Sequence, residues 1–154
     1  MPGLRRRDVA FMRYARLVQA VPLTAASVER MHMLFDQDDL LTALAAADDA
    51  ALDALAFGVI GMDRTSVVTV FNASEARSAG LSHGRVIGRH FFRDVAPCMN
   101  NYLVALRFEE ESAIDAVIDY VFTFRMRPTP VRLRLLKGPE TPTMYVVVQS
   151  LLNP

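Results

Sequence analysis

Two side chains stand where chemistry can start. Cys98 closes the segment Phe91-Phe92-Arg93-Asp94-Val95-Ala96-Pro97, so a proline fixes the backbone immediately before the thiol. A cysteine in such an apolar context is either a small buried hydrophobe or a nucleophile. It is the one cysteine of 154 residues, which excludes an intramolecular disulfide, a zinc ribbon and a CxxC redox pair, each of which needs two thiols. Glu75 follows Phe71-Asn72-Ala73-Ser74, leaving an apolar run and entering a short helical pattern. It is either a solvated acid in a first turn, where the helix dipole favours an anion, or a working carboxyl.

Other spacings exclude more than they offer. His83 and His90 lie seven residues apart with no third ligand nearby, so neither haem nor a metal is expected there. Met31-His32-Met33 on a helix points its two thioethers in different directions. Gly80, Gly84 and Gly88 lack the strand-to-helix context of a phosphate loop, which leaves nucleotide binding without support. An enzyme using Cys98 as nucleophile is not expected, because no histidine is placed by sequence to act as its base.

The elements that must position Cys98 and Glu75 follow from hydrophobic period. Leu4, Phe11, Ala15 and Val18 share a face of an amphipathic helix over 4–20, ended by Val21-Pro22. Ser27 caps a short second helix through Phe35, with Met31, Leu34 and Phe35 toward the core. A Leu- and Ala-rich helical stretch runs from Asp39 to about Ala56, interrupted at Asp48-Asp49. Residues 57–62 and 67–71 then read as a hairpin around a polar turn at 63–66. Short helical pieces occupy 73–98, and a longer helix spans about 100–112. The clearest strand is Val117 to Met126, with Ile118, Tyr120, Phe122, Phe124 and Met126 on one face. Residues 131–136 and 144–151 supply the last two strands, separated by Gly138-Pro139. The sum is an α+β domain with a five-stranded antiparallel sheet.

Seventeen basic residues balance seventeen acidic ones, so no field of one sign draws the chain to nucleic acid or to an anionic membrane. The balance is uneven: residues 1–35 carry six arginines against Asp8 and Glu29, net +4, leaving −4 for the remainder. That basic helix is either a solvated face packed on the sheet or a contact surface for an acidic partner. No apolar run approaches the roughly 20 residues that span a bilayer, and the N-terminus lacks a secretory pattern. The expectation is a soluble, cytoplasmic protein.

Four segments together carry a family resemblance. They are 55–60, the Phe71-to-Glu75 run, the stretch from Val86 to Cys98 with its Phe-Phe-x-Asp-Val-Ala-Pro-Cys motif, and 120–129. Collinear from about Asp36 to the last strand, they resemble the photoactive yellow protein family. The resemblance implies a PAS fold over 36–154; it does not reach residues 1–35, which the helical period makes an N-terminal helical extension. It implies a p-coumaroyl chromophore joined to Cys98 as a thioester beside Ala96 and Pro97. Glu75 matches the glutamate that stays protonated in the dark and hydrogen-bonds the chromophore's phenolate. Tyr120, Phe122 and Met126 match positions lining the chromophore pocket, although the alternating face already makes them core. Light would isomerise the double bond, Glu75 would give up its proton, and the N-terminal cap would loosen.

Departures from the family pattern run toward a more apolar pocket. A tyrosine that donates a second hydrogen bond to the phenolate is Phe71 here, its supporting threonine is Ala79, a second pocket tyrosine is Phe124, and a covering arginine is Leu81, with Arg85 or His83 as possible substitutes. Two readings follow. One is a blue-light receptor acting on an unidentified downstream signalling protein. The other is a light-insensitive PAS module that keeps the pocket and thiol for another aryl or acyl ligand, or for partner binding.

Overall fold

The structure, a computed structural model, describes residues 33–123 and 127–151. The helix expected over 4–20 and most of the one expected from Ser27 lie outside these residues. The described residues form five strands: β1 (Gly58–Met62), β2 (Val68–Phe71), β3 (Ile114–Phe122), β4 (Thr129–Lys137) and β5 (Met144–Ser150). They form one sheet in the order β2-β1-β5-β4-β3, and every neighbouring pair is antiparallel. Among the described residues five short helices accompany it: α1 (Leu40–Ala46), α2 (Asp49–Asp53), α3 (Ala73–Ala79), α4 (His83–Val86) and α5 (Ala105–Glu110). A π-helical turn at Phe91–Val95 and a 3-10 turn at Pro97–Met99 lie between α4 and α5.

The central strands are covered on both sides, which is why Met144–Val148 is an unbroken buried run rather than an alternating one. In front, Ile60, Met62, Leu133, Leu135, Val146 and Val148 pack with Phe71, Phe91, Phe92 and Phe108. Behind, Val59, Leu136, Tyr145 and Val147 pack with Phe35, Leu40, Leu44, Leu52, Leu55 and Phe57. Leu40 and Leu133 are fully buried, and each such side chain contributes roughly 2 kcal/mol. Edge strand β3 instead keeps the alternation expected for one covered face, with Val117 and Val121 exposed and Phe122 buried.

Local signals explain most boundaries. The interruption at Asp48 is real: its carboxylate accepts the Ala51 N–H at 2.8 Å and starts α2 as a new helix. In the hairpin turn, Asp63 Oδ1 accepts from Thr65 N and Val67 N at 2.8 and 3.1 Å, with Ser66 at φ +66°.

Three expectations need correction. The helix expected over 100–112 is confined to Ala105–Glu110, because Asn101 Oδ1 takes the N–H groups of Leu103 and Val104 at 2.9 and 3.2 Å and holds a turn instead. Strand β3 begins at Ile114, earlier than expected, and its assigned span ends at Phe122; residues 124–126 lie outside the described ones. Leu34, expected in the core, is 64% exposed because residues 33–36 are not helical, and Phe35, with Met33 partly buried, turns inward in its place.

Candidate functional site

Glu75 is placed by its neighbour Asn72. Asn72 caps α3 by accepting the Glu75 N–H at 3.1 Å, and the same oxygen accepts the Val59 N–H of β1 at 2.9 Å. Its Nδ2 donates to the carbonyls of Leu52 and Phe57 at 2.9 and 3.0 Å. One buried amide therefore fixes where α3 begins against β1 and which way Glu75 points. Gly58 does the rest: a Cβ there would overlap Glu75 Oε2, so only glycine lets the carboxyl lie on the strand.

The carboxyl is buried, and Oε2 has no hydrogen-bond partner among the described residues. Desolvation pushes its pKa up to about 7. At and below neutral pH a neutral acid is thus available to donate a hydrogen bond. Glu75 forms part of the wall of a cavity of about 230 Å³, with Gly58, Ala79, Phe122 and Val148 around it and Arg127 at the exposed rim. Such a volume exceeds the roughly 150 Å³ that holds a benzene ring.

Cys98 sits in the 3-10 turn that Pro97 opens, exposed to solvent. Its carbonyl accepts from the Tyr120 hydroxyl at 2.7 Å and from Asn101 Nδ2 at 3.0 Å, and that Nδ2 also donates to the Tyr120 oxygen at 2.8 Å. Tyr120 is therefore more than a ring on the front face, since it ties β3 to the cysteine turn. Partial burial pushes the thiol above its ordinary pKa, so at neutral pH it is a thiol and not a thiolate. Acylating it requires an activated acyl donor.

The residues singled out by sequence are only partly gathered. Phe71, Ala79, Ala96 and Phe122 belong to the front core, with Tyr120 and Leu81 packed against it. Glu75, Ala79 and Phe122 share the cavity; Cys98, Pro97, Phe71 and Tyr120 are not among its lining residues. Met126 and Phe124 lie outside the described residues. His83 places Nδ1 3.0 Å from the Phe71 carbonyl, and neither it nor Arg85 lines the cavity. Sequence reasoning passed over Asn72, Gly58, Asn101 and Arg134. An asparagine just before a helical pattern and a glycine inside a strand were the available signals for the first two. Among the described residues no cluster of three metal-ligating side chains occurs, and no helix is long and apolar enough to cross a membrane.

No family model matches the chain. Its fold is that of the PAS domain of an HTR-like protein from Haloarcula marismortui, with a TM-score of 0.51 at 12% identity over 67% of this chain and 88% of that one. The molecule is a PAS-fold protein, as its resemblance implied. The photoactive yellow protein domain of the sensor histidine kinase Ppr from Rhodospirillum centenum gives a TM-score of 0.63 at 34% identity, covering 68% of this chain and 94% of that domain. The photoactive yellow protein of Rhodothalassium salexigens is 36% identical over 118 residues, which is 75% of this chain and 94% of that protein. The chain belongs to the photoactive yellow protein family, a family of photoreceptors and not of enzymes.

Proposed function

We propose that this chain is a cytoplasmic blue-light receptor that holds a p-coumaroyl group as a thioester on Cys98 and uses Glu75 as the acid facing the ring oxygen. The observation that carries the reading is Glu75 Oε2, a buried carboxyl oxygen without a partner among the described residues, beside a cavity larger than a benzene ring needs. A buried polar atom left open in this way fits a ligand oxygen. When bound, the group supplies visible absorption and a double bond that light isomerises.

The chain's own residues do the rest. Pro97, Asn101 and Tyr120 hold the turn on which the thiol is carried. Glu75, its pKa raised to about 7, donates through its acid proton in the protonated form. Once that proton is given up, Glu75 is a buried charge whose Oε2 has no partner among the described residues, which is costly enough to loosen packing around it. We assign the output to the N-terminal part of the chain, with 1–35 as an extension of the domain over 36–154. Because Phe71 has no hydroxyl, Glu75 is the one matched donor to the ring oxygen. The loaded protein is therefore expected to carry a mixture of protonated and ionised chromophore at neutral pH, and a single band of the fully ionised form contradicts that expectation.

The second reading, a light-insensitive carrier of another aryl or acyl ligand, draws on the apolar side chains of Phe71, Ala79 and Leu81. One experiment separates the two. The protein is expressed with activated p-coumarate, its spectrum recorded, and bleaching and recovery followed after a blue flash. A visible band that bleaches and recovers, and is absent in Cys98→Ser, supports the receptor. A band without a photocycle leaves the carrier, and no Cys98-dependent band removes the receptor.

A further inference from the structure

Arg134 is the one buried cation among the described residues, and the function proposed above gives it no task. It leaves β4 on the back of the sheet with its donors directed one by one. Nε and Nη2 grip the two carboxylate oxygens of Asp115 on β3, each at 2.8 Å. Nη1 donates to the main-chain carbonyls of Phe35 at 2.8 Å and Gln37 at 2.6 Å. These carbonyls belong to the stretch before α1, 99 and 97 residues away in sequence. One guanidinium thus ties that stretch to two strands.

Its neighbour Arg132 adds a looser hold, an ion pair to Asp36 at 3.3 Å and a guanidinium carbon 5.2 Å from the centre of the Phe35 ring. A buried ion pair is seldom kept for stability alone, since apolar side chains of similar volume often serve as well. What the planar fork adds is geometry: it fixes two carbonyls and a carboxylate at once, which a point charge on a flexible stem does not. The arrangement is also reversible. The Asp115 side chain is 51% exposed and stays beside the guanidinium, so Arg134 is not stranded without a counter-ion when residues 35–37 depart.

We propose that Arg134 is a positioning residue that latches residues 35–37 to the back of the sheet, its bonds to the Phe35 and Gln37 carbonyls setting how readily that segment leaves. Only the light-dependent half of the test rests on the proposed function. The full chain without chromophore is compared by hydrogen exchange as wild type, Arg134→Met and Arg134→Lys. Losing two charge-assisted hydrogen bonds speeds exchange of the amides over 35–46 by about tenfold or more in Arg134→Met, while β1 and β5 stay within about threefold. Arg134→Lys, which keeps the charge and loses the fork, falls between. Unchanged exchange over 35–46 in both variants, or an equal rise across the sheet, overturns the latch. In protein loaded with activated p-coumarate, Arg134→Lys slows dark recovery after a blue flash by about fivefold, a factor that one weakened hydrogen bond supports. Recovery that is unchanged or faster overturns the latch as well. If the loaded wild type shows no photocycle, the proposed function fails and the exchange comparison alone decides the latch.

Discussion

Glu75 and Arg134 are both buried, lie on opposite faces of the same sheet, and meet the cost of burial in opposite ways. Behind β4, Arg134 finds a carboxylate and two carbonyls within 2.8 Å. In front of β1, Glu75 has an oxygen with no partner among the described residues, and burial raises its pKa to about 7, which favours the neutral acid. A polar group buried for architecture is satisfied by the architecture. One buried for a ligand is left open toward it. The contrast separates the face that holds the chain together from the face that does chemistry.

Asn72 joins the two faces, since its amide holds the Leu52 and Phe57 carbonyls that lead into the back core and the N–H of Glu75 in front. Asn72→Ala leaves several buried groups unpaired and costs on the order of 4 kcal/mol in urea unfolding, the largest effect expected. A loss below about 1 kcal/mol would mean the faces are not joined there.

Next in size is the pH dependence of the unloaded protein. With its pKa raised to about 7, Glu75 keeps its proton in the folded chain after the unfolded chain has lost it. Stability is therefore full below about pH 4.5 and falls as pH rises through 7, by on the order of 3 kcal/mol. Glu75→Gln removes this slope, read from denaturant midpoints at pH 5 and pH 8, and an unchanged slope breaks the contrast. Gly58→Ala forces the Glu75 carboxyl off the strand and costs roughly 2 kcal/mol. A structure of that variant with Glu75 unmoved would remove the close approach from the account. The smallest effect is Tyr120→Phe, which loses the hydroxyl's hydrogen bonds to the Cys98 carbonyl and from Asn101 Nδ2 and about 1 kcal/mol by thermal unfolding, with faster alkylation of the loosened thiol.

Much of this was legible in the chain. Period-two alternation at Ile118, Tyr120 and Phe122 marked the covered face of β3, and the Pro97-Cys98 pair marked the thiol. The back face was harder to read. Arg132 and Arg134 alternate with Val131, Leu133 and Leu135 as solvent-facing residues would, and nothing local tells that Phe35 and its neighbours cover them from almost a hundred residues away. The turn at 100–104 was missed for a similar reason: the Asn101 side chain captures N–H groups that a helical pattern would have used. Element types follow from local pattern, whereas burial of a single charged side chain is a property of the whole fold.

Protonation of Glu75 in the loaded protein decides whether it is the acid of this site. Light-minus-dark infrared difference spectra of wild type and Glu75→Gln measure it directly. A protonated carboxyl C=O band that is present in the dark, vanishes after the flash and is missing from Glu75→Gln is the predicted result. A spectrum with no such band in wild type, or with one that persists in Glu75→Gln, would contradict the assignment of Glu75 as the acid of this site.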